Sequence, residues 1–272
     1  MNATLRRILL VGLAIAGAMA VESAAMAQKS RIGKSSTESP IDPQKPTGRT
    51  ALRLTVQSLC VLNWQQHQNP APCERVVLAD LNSGGSGYAV LADPAGGAHY
   101  LLVPTQTMPG TESGELLEPD LPNYFALAWR SRDLIRKFVG HEVPRSAVGL
   151  VMGIAHSRVQ DQFHIHIDCL RQDVVDALRA SVDGTKSGWS PISVAGLTYE
   201  AQSIMAKDLE GVNLFEMLAT LKPDARHHMA DYTLIVAGMQ FSSGPGFAVL
   251  AGTGPSGEIL LDSSCAVAGA GG

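Results

Sequence analysis

From Gln162 to Asp168 polar and apolar residues alternate without a break, Gln-Phe-His-Ile-His-Ile-Asp. A period of two belongs to a β-strand, because successive side chains point to opposite faces. Gln160, Gln162, His164, His166 and Asp168 therefore share one face, while Phe163, Ile165 and Ile167 share the other. The apolar face needs a core, so the chain has to build a sheet around this segment. Neighbours on the polar face stand about 6.6 Å apart along the strand. That spacing suits a grip on successive groups of one ligand.

The flanking segments predict more of the same sheet. Tyr88–Ala92 and His99–Pro104 are apolar runs around Asp93-Pro94-Ala95-Gly96-Gly97, which reads as a hairpin. Tyr124–Val139 has helical spacing and stops at Gly140; Ala51–Leu62 is a first helix; Val148–Ile154 is another strand. The order β-β-α-β-β predicts an α+β domain with an antiparallel sheet. Past residue 180 the signals thin to short helices at 213–221 and 223–230 and a hairpin of Tyr232–Gly238 with Phe247–Ala251.

Arg6 and Arg7 precede the uncharged run Ile8–Val21, and Ala25-Met26-Ala27 has small residues at both positions of a signal-peptidase site. The 14-residue run is shorter than the roughly 20 residues of a membrane-spanning helix. We read 1–27 as a cleaved secretory signal, with an uncleaved anchor as the alternative, and the polar, Pro-rich 28–50 as a flexible linker. Export makes the cysteines relevant. Cys60 and Cys73 enclose a polar segment that a local staple would order, which leaves Cys169 for Cys265. Four cysteines allow three pairings, and the sequence leaves them open.

Composition narrows the function. With 45% apolar and 17% charged residues the chain is globular, and a net charge of −4 leaves no basic footprint for nucleic acid. Three readings of the polar face compete. A solvated face would more usually carry Lys, Glu and Thr. His-x-His with Asp168 can chelate a metal, given a further ligand from His156, Asp161 or His99. A neutral imidazole can attack phosphorus, with a second His and amides arranging charge around the phosphate.

The third reading agrees with a resemblance. His164-Ile-His166-Ile on a strand after a Gln-containing loop is similar to the His-φ-His-φ-His-φ-φ motif of the histidine-triad (HIT) superfamily, and His99-Tyr-Leu-Leu-Val-Pro104 to its upstream strand. One branch, the bacterial CDP-diacylglycerol pyrophosphatases, resembles more of the chain. The matching stretches are Gln68–Cys73, Tyr100–Thr105, Gly110–Ser113, Pro122–Phe125 with Ala128-Trp129, Gln160–Cys169 and Arg171–Val174, in collinear order.

The resemblance implies a HIT-like catalytic region over 51–180; from size alone we read 181–272 as a C-terminal α/β extension of the same domain, a degenerate second half. The resemblance also implies hydrolysis of CDP-diacylglycerol to CMP and phosphatidate through a nucleotidyl-histidine; the alternatives are a metal-dependent exported phosphoesterase using the His-x-His strand and a non-catalytic exported protein that binds nucleotide or lipid. No cofactor, metal or obligate protein partner is needed, and the enzyme would be periplasmic, near the inner membrane. The triad is incomplete. Registered as Gln162-φ-His164-φ-His166, the middle residue and nucleophile is His164, with His166 on the leaving-group side. Registered as His164-φ-His166-φ-Asp168, it is His166, with Gln160 at the superfamily's usual glutamine offset. We favour the first. Gln160, Gln162 and Arg158 are then expected to hold phosphate oxygens, and Asn123 and Tyr124 to contact the nucleotide, with capping and packing as the alternative for these two.

Overall fold

The computed structural model describes residues 46–78, 87–184 and 188–269. The predicted signal and residues 28–45 of the predicted linker lie outside the described residues. The predicted first helix extends to His67, as α1 (Ala51–Leu54), a π-helical stretch (Thr55–Cys60) and α2 (Val61–His67). It buries Leu52, Val56 and Cys60 and stops at Gln68, whose φ of 54° is left-handed.

The strands are β1 (Arg75–Val77), β2 (Tyr88–Ala92), β3 (Tyr100–Pro104), β4 (Val148–Met152), β5 (Ile165–Cys169), β6 (Ser190–Val194), β7 (Leu197–Met205), β8 (Thr233–Phe241) and β9 (Gly244–Gly252). They form one sheet in the order β1-β2-β3-β5-β4-β8-β9-β7-β6, with every pairing antiparallel. This is an α+β fold. The order contains a repeat: β2-β3-β5-β4 has the connectivity of β6-β7-β9-β8, and the two sets meet where β4 pairs with β8. Each set also places helix between its second and third strands, α3 (Tyr124–Arg130) and α4 (Asp133–Val139) in the first, α6 (Leu214–Ala219) in the second.

Tyr124–Val139 is two helices rather than the single one predicted. At the break, buried Ser131 donates its hydroxyl to the Leu127 carbonyl and accepts from Arg75 Nη1. A hydroxyl that bonds back one turn competes with the helix's own bonding. The helix α5 (Gln172–Ser181) and the strands β1, β6 and β7 were not foreseen.

The larger core joins Leu102, Leu150, Ile165 and Ile167 to the aromatic residues of α3 and to β8 and β9. A smaller one seats Leu52, Val56 and Cys60 on Ala89, Leu91, Leu101 and Val103. Cys60 pairs with Cys73 and Cys169 with Cys265, across Cα–Cα distances of 5.6 and 5.1 Å. Both disulfides fit an oxidising compartment. Among the described residues no helix is long and apolar enough to cross a membrane.

Candidate active site

The predicted strand is shorter than its alternation suggested. β5 begins at Ile165, because the next register positions toward the N-terminus run into Pro104, which has no N–H to give the ladder. Phe163 N bonds Met108 O instead. Gln160, Gln162 and His164 therefore precede the strand, and only His166 and Asp168 of the predicted face lie in it. His166 sits opposite Leu101 of β3 and Val151 of β4. His99 lies one residue before β3, where the register brings it level with Asp168.

His99 and His166 line a cavity of about 300 Å³ with Arg158, Gln160, Gln162, His164 and Glu258, and Asp168 is not part of its lining. Buried Asp168 accepts from Cys169 N and Ser263 Oγ, both at 2.7 Å. Its Oδ2 lies 3.6 Å from His99 Nδ1, and His99 Nε2 meets His166 Nδ1 at 2.7 Å. On the far side, His166 Nε2 is 3.4 Å from Glu258 Oε1, a long contact. Ser256 Oγ donates to the same oxygen at 2.9 Å. The rings of His164 and His166 are 4.9 Å apart, nearly perpendicular.

His164 Nδ1 lies 2.7 Å from Gln162 O. A carbonyl only accepts, so Nδ1 carries the proton and Nε2 keeps its lone pair. Burial, with His166 beside it, lowers the His164 pKa to about 4, so the ring is neutral near pH 7. Burial and then His166 lower His99 to about 4 as well. Burial raises Asp168 to about 6, while the contact with His166 draws Glu258 down to about 2.

The other predicted residues divide. Gln162 is buried, and its amide nitrogen donates to Pro104 O and Gln106 O at 3.2 and 2.8 Å. Both amide hydrogens are thus occupied in holding the 104–108 loop, although Gln162 also lines the cavity. Gln160 accepts from Leu52 N at 2.9 Å, which uses its oxygen and leaves its NH2 group. Arg158 lines the cavity, but it bonds Glu112 and lies 3.4 Å from Asp161, so its charge is matched before any ligand arrives.

Asn123 and Tyr124 do not line the cavity. Asn123 accepts from Ala126 N as an N-cap and donates to Leu209 O and Val212 O. Tyr124 is buried with its ring 5.9 Å from Phe163. Sequence reasoning missed Glu258, Ser256 and Ser263, which lie in an irregular segment far from the histidines and carry no motif. His99 enters the sequence reading as a possible ligand and as the head of the upstream strand, without its place between Asp168 and His166.

Of the suggested metal ligands, His156 bonds Asp231 and Asp161 bonds Arg49. Asp93, His99 and His166 each offer a ligand atom, all within 4.8 Å of one another. Two nitrogens on one tetrahedral zinc stand about 3.4 Å apart, given Zn–N bonds of about 2.0–2.1 Å. The 2.7 Å between His99 and His166 is a hydrogen bond instead.

A neutral imidazole with a free ring nitrogen, a second ring linked to acidic groups and a small cavity beside both are groups of the kind a hydrolase site brings together. The family model of CDP-diacylglycerol pyrophosphatase matches residues 47–269, and the chain belongs to that family. It is a hydrolase acting on phosphoric anhydrides, with CDP-diacylglycerol as its substrate.

Proposed function

We propose that the chain is HIT-like in mechanism and splits CDP-diacylglycerol into CMP and phosphatidate through a cytidylyl-His164 intermediate. His164 Nε2 attacks the cytidylyl phosphorus, and a P–N bond forms as the P–O bond to the bridging oxygen breaks. Phosphatidate leaves with a proton from His166 Nε2. Water then attacks the phosphorus, giving one proton back to His166 Nε2 as the P–N bond breaks, which releases CMP and restores the His164 imidazole. The observation that carries this reading is the bond from His164 Nδ1 to Gln162 O, which fixes the free lone pair on Nε2. It also favours the register in which His164, not His166, is the nucleophile.

Leu101, Met152, Ile154 and Val159 give the cavity an apolar wall. Val159, 73% exposed, forms its lip, where the glycerol side of the lipid would lie. With the disulfides, the predicted export signal supports action in the periplasm.

The test is to trap the adduct from substrate labelled in the cytidylyl phosphate. Label bound to His164 in the wild type or in His166→Ala is expected. Label on His166, or undiminished turnover by His164→Ala, overturns the assignment. Inactivation by a chelator, reversed by Zn²⁺, would instead favour the chelating site.

A further inference from the structure

Glu258 reaches the cavity from the short turn Gly257–Leu260, beyond the last strand, and every part of its approach is held. Gly257 N donates to Thr233 Oγ1, whose hydroxyl donates to Met152 O, both inside the core. Arg171 N donates to Leu260 O, and Arg171 Nη1 to Ile259 O. Asp262 N donates to Cys169 O, and the Cys169–Cys265 disulfide closes the stitch. Gly153 clears the last gap: a Cβ there would come within 2.8 Å of Glu258 Oε1. A carboxylate beside a site for an anionic substrate repels that substrate, so holding one so firmly calls for a reason.

Proton accounting on His166 supplies it. The groups facing His166 are His99 and Asp93 before β3, His164 and Asp168 on its own segment, and Glu258 opposite. His166 Nδ1 and His99 Nε2 share one proton in their 2.7 Å bond. Were Nε2 of His166 unprotonated, its lone pair would face the Glu258 carboxylate, two acceptors against each other. With a proton there, the contact is attractive whichever ring donates in the His99 pair. At 3.4 Å the contact to Glu258 is long, and Nε2 is buried with no shorter partner. A phosphate oxygen can therefore displace the carboxylate.

We propose that Glu258 is a positioning residue, which keeps a proton on His166 Nε2 until the departing phosphate of the lipid takes it. The depressed Glu258 pKa agrees, since such a carboxylate does not compete for the proton. The proposal rests on the cytidylyl-His164 reading.

The experiment compares Glu258→Ala, Glu258→Gln and Ser256→Ala on CDP-diacylglycerol in detergent micelles and on the p-nitrophenyl ester of CMP, whose leaving group needs no proton. Glu258→Ala is expected to lower kcat on the lipid about 100-fold with little change in KM, and on the ester by less than about threefold. Glu258→Gln falls between it and wild type, and Ser256→Ala shows a loss of about three- to tenfold with the same preference for the ester. Should Glu258→Ala not fold, the other two variants carry the comparison.

Equal losses on both substrates, or a change in KM alone, overturn the proposal. Labelling of His164 by the ester in each variant separates the two ideas. Adduct with equal losses removes only the role of Glu258, whereas no adduct in any protein, wild type included, removes the nucleotidyl-histidine itself.

Discussion

The two halves of the sheet share one connectivity and differ in chemistry. β5 of the first half reads Ile-His-Ile-Asp-Cys, while β9, in the equivalent place of the second, reads Gly-Pro-Gly-Phe-Ala-Val-Leu-Ala-Gly. Both lie deep in the sheet, and β9 is buried along most of its length, with Phe247, Val249 and Leu250 in the larger core. The same topology thus serves once as a platform for imidazoles and once as packing. Fold and chemistry are separable here, since only one of the two sets brings imidazoles together, from β5 and the residues just before β3 and β5. The second half reaches the site through the segment after β9, which bears Ser256, Glu258 and Ser263.

The sharpest way to break that contrast is to damage one position in each half, beside β5 and within β9. His164→Ala is expected to cut kcat by about 10⁴-fold or more while melting close to wild type. Leu250→Ala on β9 is expected to cost about 2–5 kcal/mol of stability with kcat little changed in the fraction that stays folded. Urea unfolding alongside steady-state turnover reads both, and a large loss of kcat in Leu250→Ala would end the idea that β9 serves only as packing.

The disulfides sharpen it next. Removing either is expected to cost about 2–5 kcal/mol. Cys169→Ser with Cys265→Ser should also lower kcat, because that bond anchors the segment carrying Glu258 and Ser263. Cys60→Ser with Cys73→Ser should change stability and leave kcat near wild type. Equal effects on turnover would show that the anchoring is immaterial.

The smallest effect is in the pH dependence of stability. His99 and His164 are neutral in the fold down to about pH 4, whereas unfolded His binds its proton below about 6.5. Their contribution is therefore full above that value and is lost on acidification toward 4. Asp168, raised to about 6, has the opposite sign: its contribution is present below the unfolded value of about 3.9 and lost as pH rises through 6. Between pH 4 and 6 the two histidines outweigh the one carboxyl, so the unfolded chain binds more protons than the folded one and stability rises with pH. Urea midpoints across this range measure the slope, which His164→Ala is expected to flatten. An unchanged slope would refute the assignment.

What could be read in advance followed the strength of local signals. The hairpins β2–β3 and β8–β9 are apolar runs around turn residues, and the alternation through His166 marked β5. β6 escaped because it is largely exposed and holds Pro191, and β1 because three residues make no pattern. At the site, His164 and His166 were legible as neighbours in one motif. Glu258 was not, since a lone acid in a turn acquires meaning only when Gly153, Thr233 and the second disulfide bring it to His166.

The pairing of β4 with β8 has a consequence for how the enzyme behaves on dilution. Two separate copies meeting edge to edge would part as their concentration fell, since association follows mass action. Here the two edges belong to one chain and are joined through α5, β6, β7 and α6. The seam one strand away from the histidines therefore closes independently of protein concentration.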